Sequence, residues 1–139
     1  LRSLQVRRNT ELYRLREEGA FDRLHDEDVV REIRLFIEHL DGIECRNVSD
    51  HILNLLEELE GKLPEDREKL LGVIERYFQL SDDERIIYRL GRRKGIYRRL
   101  DDLSDKRVYT MLKAIVDQYK NGDMSRLDRD LDRIMHSFI

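Results

Sequence analysis

An all-α helical bundle of about six to seven short helices is the fold this chain predicts. Apolar residues recur at the 3.6-residue period almost throughout, and no strand-like alternation persists. Ser, Asp, Gly and Pro fall where helices start and stop. The 139 residues, 40% of them hydrophobic and with a net charge of −3, suffice for one core over 1–139 and disfavour disorder. Each amphipathic stripe then has to be buried against another.

The first helix is expected from Arg2 to Glu18, with Leu4, Leu12 and Leu15 on its apolar side and Gly19 at its end. The second runs from about Asp28 to Leu40. Val29, Val30, Ile33, Phe36, Ile37 and Leu40 form one stripe on it. Asp26 or Asp28 can cap its start, and Gly42 suits the left-handed residue after its end. Asp41 to Asn47 reads as the longest loop. Ser49 opens a short helix to about Glu60, with Ile52, Leu55, Leu56 and Leu59 inward and Gly61 closing it.

Pro64 fits the first turn of the next helix, where Glu65 and Asp66 favour the positive end of the dipole. That helix carries Leu70, Leu71, Ile74, Tyr77 and Phe78. Ser81-Asp82-Asp83-Glu84 is a capping box. It opens a helix holding Ile86, Ile87, Leu90, Tyr97 and Leu100. Gly91 and Gly95 lie four apart within it and point to a kink or break, or to close approach by another backbone. Ser104 caps another helix, with Val108, Met111, Leu112, Ile115, Val116 and Tyr119, stopped by Asn121-Gly122. Ser125 starts the last, with Leu127, Leu131, Ile134, Met135 and Phe138. The residues expected deepest in the core are Ile33, Phe36, Ile74, Tyr77, Ile87, Leu112, Ile115 and Leu131.

Composition excludes several functional classes. No apolar run reaches the ~18 residues that span a bilayer. One cysteine, Cys45, rules out an internal disulfide framework and a thiolate zinc cage. It is consistent with a reducing compartment, cytoplasmic or nuclear. Arginine outnumbers lysine 21 to 6 and amide side chains are scarce, a bias expected of a thermophilic protein. The first residue is Leu1, so a piece of a longer protein is expected.

Charge is segregated. Residues 85–100 hold Arg85, Arg89, Arg92, Arg93, Lys94, Arg98 and Arg99 and no acid, leaving 20 basic against 30 acidic residues elsewhere. Arginine presents a planar fork that suits phosphate or carboxylate. These seven residues are the candidate partner- or nucleic-acid-binding set. The other reading is internal pairing with the flanking Asp82, Asp83, Asp101 and Asp102. The pI of about 5.9 argues against a dedicated nucleic-acid module, whose domain pI usually exceeds ~9.

Other constellations carry less. Asp128, Asp130 and Asp132 alternate like a calcium loop, but Arg133 stands where glycine is needed. His25, His39, His51 and His136 show no ligand spacing and read as surface or boundary residues. Cys45 has no evident histidine partner. Arg34-x4-His39 resembles the Arg-x4-His element of HEPN-type helical ribonucleases, which implies RNA cleavage, although Leu35 stands where that family has a small polar residue.

A second resemblance is broader. Leu12-Tyr13-Arg14-Leu15-Arg16-Glu17-Glu18, then Leu24, then Asp28 to Leu40 ending in Phe36-Ile37-Glu38-His39-Leu40, resemble the opening of GINS helical domains. Arg92-Arg93-Lys94-Gly95-Ile96 is similar to that family's Arg-x-x-Lys-Ile segment. Leu103-Ser104 and the helix through Tyr109 and Met111 resemble its third signature. The likeness spans about residues 11–120. Gly95 interrupts the basic segment, Lys106 and Arg107 replace common acids, and no counterpart of the family's small β-domain is read. The resemblance implies a non-catalytic subunit of the replicative helicase assembly of archaea or eukaryotes, packing helix to helix with sister subunits. It carries over only Arg92, Arg93, Lys94 and Ile96, as interface or core positions.

The expected function is therefore a non-enzymatic helical interaction subunit with a protein partner or a second copy, without cofactor or metal. The alternatives are nucleic-acid binding through 85–99 and a HEPN-like ribonuclease.

Overall fold

A computed structural model describes residues 4, 6, 8–49, 51 and 53–136. Six α-helices account for most of them: α1 (Glu11–Glu17), α2 (Asp26–His39), α3 (Arg67–Gln79), α4 (Asp82–Arg93), α5 (Lys106–Lys120) and α6 (Met124–His136). A 3-10 turn covers Leu100–Ser104, and two three-residue strands, β1 (Cys45–Asn47) and β2 (Gly61–Leu63), pair antiparallel. The bundle is mostly helical, as its periodicity predicts.

The core joins all but the first of these helices. Val30 and Ile37 of α2, Leu70, Ile74 and Tyr77 of α3, Ile87, Tyr88 and Leu90 of α4, Leu112 and Val116 of α5 and Leu127 and Leu131 of α6 share one buried cluster. α2 packs on α3, and α4 packs on both α5 and α6. A line of aromatics threads the centre: Tyr77 and Tyr88 lie 6.1 Å apart, and Tyr88 stacks on Tyr97 at 6.1 Å and 16°.

Helix ends follow local chemistry. At α4, Ser81 and Glu84 complete the capping box in both directions. Gly95, at φ +69°, closes the same helix. The Ile96 N–H reaches the Gly91 carbonyl at 2.9 Å and the Gly95 N–H the Arg92 carbonyl at 3.1 Å, a Schellman motif that only a left-handed residue completes without strain. The helix expected to run to Leu100 therefore breaks here. Gly91 has a different reason: a Cβ on it would lie 2.3 Å from the Tyr97 ring, which folds back across the helix. Gly19 and Gly42 also carry positive φ beyond α1 and α2.

Several expected boundaries move. α1 begins at Glu11, because the Thr10 hydroxyl accepts the Tyr13 N–H. Arg2 lies outside the described residues. α2 begins at Asp26 after His25, and neither Asp26 nor Asp28 caps it; both sit in its first turn and point elsewhere. Its last carbonyls are instead met by Arg67, which donates to Glu38 at 3.5 Å and to Leu40. Pro64 stands in the turn before α3 rather than in its first turn, and Asp66 gives its carboxylate to the Lys62 N–H. Asp105, not Ser104, caps α5 through the Arg107 and Val108 N–H groups. Asp123 accepts the Ser125 N–H at 2.9 Å as α6 begins.

The largest correction is at 49–60, which is not a helix. Leu53 is buried there beside Leu55, Leu56 and Leu59, which widens the buried face beyond the stripe those three would form on a helix. Polar side chains take the carbonyls a helix would use: Ser49 Oγ donates to Leu56 O at 2.7 Å, and Asn47 Nδ2 to Leu59 O at 2.7 Å. The segment folds as a wide loop closed by the β1–β2 pair, which also replaces part of the expected 41–47 loop. Phe36 is the second correction. It is 50% exposed, and Met111 is 48% exposed, while Ile33 and Ile115 are partly buried against the core. Ile52 and Phe138 lie outside the described residues.

Candidate functional site

Arg85, Arg89, Arg92 and Arg93 stand at i, i+4, i+7 and i+8 on α4, the spacing of a core stripe. The fold uses them as one. The side chains of Arg92 and Arg93 are only 1% exposed, and those of Arg85 and Arg89 are 19% exposed. An outward-facing basic helix is therefore not what these four residues form. The first turn of α2, the wide loop and α6 close over them.

Each finds oxygen acceptors from a distant element. Arg85 Nε donates to Glu27 Oε1 at 3.0 Å, and its Nη1 to Leu80 O at 2.9 Å, meeting a carbonyl left over at the end of α3. Arg89 reaches Asp26 at 3.4 Å and Asp128 of α6 at 3.0 Å. Arg93 Nη2 donates to Asp26 Oδ1 at 2.5 Å and its Nη1 to Leu53 O at 2.8 Å. Arg92 donates to Asn54 O at 3.2 Å and His51 O at 3.4 Å and pairs with Glu57 at 3.0 Å. The wide loop has few ladder bonds of its own, so these guanidiniums serve its buried carbonyls.

The electrostatics match the geometry. Burial alone would push the Asp26 carboxyl up, but the Arg93 and Arg89 guanidiniums outweigh it and hold Asp26 below the usual carboxylate range. Burial pulls Arg92 below the ordinary arginine value, and Glu57 offsets part of that. Burial acts the same way on Arg89, where Asp26 and Asp128 reverse it.

The remaining three candidates differ. Lys94 and Arg99 are exposed and carry no ion pair among the described residues. Arg98 is exposed and pairs with Glu57. Of the four flanking acids expected to neutralise the run, only Asp82 pairs with it, at 2.5 Å to Arg85. Asp83 pairs with Lys120 and Asp101 with Arg76, and Asp102 accepts the Arg98 and Arg99 N–H groups. The true partners, Asp26, Glu27, Glu57 and Asp128, lie 28 or more residues from the run. Their only signal is the Asp26-Glu27-Asp28 cluster where α2 starts, facing four arginines at core spacing.

The other constellations are engaged as well. Arg34 pairs with Glu38 at 2.8 Å and Glu75 at 3.5 Å, and His39 Nδ1 lies 2.8 Å from Leu35 O. Asp128, Asp130 and Asp132 each pair with arginine. His25 and His39 are exposed and His51 is at the boundary; nothing is described of the His136 side chain. Among the described residues no three His, Cys, Asp or Glu side chains are placed to share a metal ion, and no helix is long and apolar enough to cross a membrane.

A broad groove lies between β2, the outer face of α3 and the 96–102 segment. At about 1490 Å³ it exceeds the ~300–1,000 Å³ typical of small-molecule pockets. Compared with known protein families, curated proteins and solved structures, the chain finds no match.

Proposed function

We propose that this chain is a non-enzymatic helical interaction subunit, of the kind the GINS-like segments imply, which packs against partner subunits in DNA replication. One observation carries the reading. Leu35 and Phe36, neighbours on α2, and Ile43 just beyond it are 56%, 50% and 51% exposed. Large apolar side chains left exposed this close together in the chain favour a protein partner. Phe36 thus departs from the α2 stripe that builds the core and, with Leu35, is left exposed for another chain.

The resemblance fits this division. Arg92 and Arg93 are core positions, and Lys94 and Ile96 are exposed ones. Nucleic-acid binding through 85–99 would have to rely on Lys94, Arg98 and Arg99, since the other four cations are committed internally. A HEPN-type centre would need Arg34 to leave Glu38 and Glu75.

Sedimentation velocity of the tagged protein purified from its own cells tests the proposal. A stoichiometric complex, with itself or another chain, is expected, and Leu35→Asp with Phe36→Asp should abolish it at unchanged Tm. A monomer that brings no partner with it would contradict the reading.

A further inference from the structure

The groove of α3 carries an asymmetry of its own. Lys69, Gly72, Val73 and Arg76 stand at i, i+3, i+4 and i+7, one stripe of α3 lining the groove. Glycine inside a helix is destabilising relative to alanine. At Gly91 that cost has an internal cause, the Tyr97 ring. At Gly72 it has none, since a Cβ there would meet nothing within 4 Å. The open space in front of Gly72 is the groove itself. Ile96, 39% exposed, stands on the opposite wall.

The polar groups are unevenly committed. Each carboxylate in the groove already has a donor from this chain. Glu57 has Arg92 and Arg98, Glu60 has Arg46, Glu58 takes the Leu100 N–H, Asp66 the Lys62 N–H, and Asp102 the Arg98 and Arg99 N–H groups. Of the six cations that line it, Arg46 and Arg98 are taken up by Glu60 and Glu57, and the other four are less committed. Lys62 and Arg99 have no ion pair among the described residues, Lys69 reaches only the Glu60 carbonyl at 3.1 Å, and Arg76 holds an exposed surface pair with Asp101. The hydrogen-bonding capacity left over is that of donors. The five carboxylates set into the walls disfavour a polyphosphate backbone, which meets repulsion at every step. A segment with separated acids and an aliphatic residue between them avoids that repulsion.

We propose that this groove docks an acidic amphipathic helix of a partner protein, whose aliphatic residue lies over Gly72 between Val73 and Ile96 and whose carboxylates meet Lys69 and Arg76. Those two cations are seven residues apart on α3, about 10 Å along its axis, so the partner's acids lie two turns apart. Gly72 lets the two backbones approach closely. The groove is distinct from the exposed Leu35 and Phe36 of α2, so either surface can fail without the other.

The probe is a fluorescein-labelled helical peptide of about 15 residues with glutamates two turns apart flanking leucine, read by fluorescence anisotropy. Its controls are the same peptide with lysine for glutamate and a single-stranded oligonucleotide. The acidic peptide is expected to bind more tightly than either, and more weakly as salt rises. Lys69→Glu with Arg76→Glu should weaken it about tenfold or more. Gly72→Leu is the sharper variant: it should raise Tm and yet abolish binding, which separates docking from folding. Equal binding of the acidic and basic peptides, or full affinity in Gly72→Leu, would overturn the proposal. Tighter binding of the oligonucleotide would overturn it in favour of nucleic acid, and self-association blocked by Gly72→Leu would overturn it in favour of a second copy.

Discussion

Two halves of one basic run meet opposite surroundings. From Arg85 to Arg93 the arginines lie on α4 and are closed over by carboxylates and carbonyls from α2, α6 and the wide loop. From Lys94 to Arg99 the chain has left the helix, and the three cations face outward. Gly95 makes the boundary, because its left-handed turn ends the helix that kept the earlier arginines in register. Like charge along a sequence therefore says little about exposure. What decides it is whether the charges fall at the spacing of a packed face and whether another element brings acceptors to them.

Breaking the inner half should produce the largest effect. Asp26→Ala removes the buried carboxylate shared by Arg89 and Arg93, a loss of about 3–5 kcal/mol. Urea unfolding measures it. Asp101→Ala, which removes an exposed pair with Arg76, should cost under about 1 kcal/mol in the same assay.

Next comes the packing that folds the run's end back on itself. Gly91→Ala drives a methyl into the Tyr97 ring and against Leu112, 2.9 Å away, and should cost about 1–3 kcal/mol by thermal or urea unfolding. A smaller loss would mean that Tyr97 can swing away from α4.

Acid sharpens the same comparison. The Asp26 carboxyl lies below its unfolded value of about 3.9, so its contribution is fully present above that pH and is lost as pH falls through the folded value. Wild-type stability should decline below about pH 4, and Asp26→Asn should flatten that part of the decline in a pH series of urea midpoints.

The outer half should respond least. Arg99→Glu, on an exposed residue without an ion pair among the described residues, should shift stability by no more than about 0.5 kcal/mol.

Local signals were the legible ones. Ser81 and Glu84 announce α4 because a capping box needs only four residues, whereas Gly91 and Gly95 point to a kink or break without telling which of them ends the helix. The stripes of α3 and α5 were legible because their buried faces are single. The segment from Ser49 to Glu60 was not, because its leucines mimic a helical stripe while its polar side chains and the arginines of α4 satisfy the backbone another way. Phe36 fits the periodic stripe of α2, yet it is half exposed, because which part of a stripe another element covers is not reported by periodicity. The arginine clamp needed pairings between residues as much as 67 positions apart, such as Arg93 with Asp26.

Reaction of the native protein with phenylglyoxal, mapped arginine by arginine by mass spectrometry, tests the clamp most directly. Arg92 and Arg93 should stay unmodified while Arg99 reacts. Modification of Arg92 and Arg93 as fast as Arg99, with the protein still folded, would contradict an internal role for the inner run.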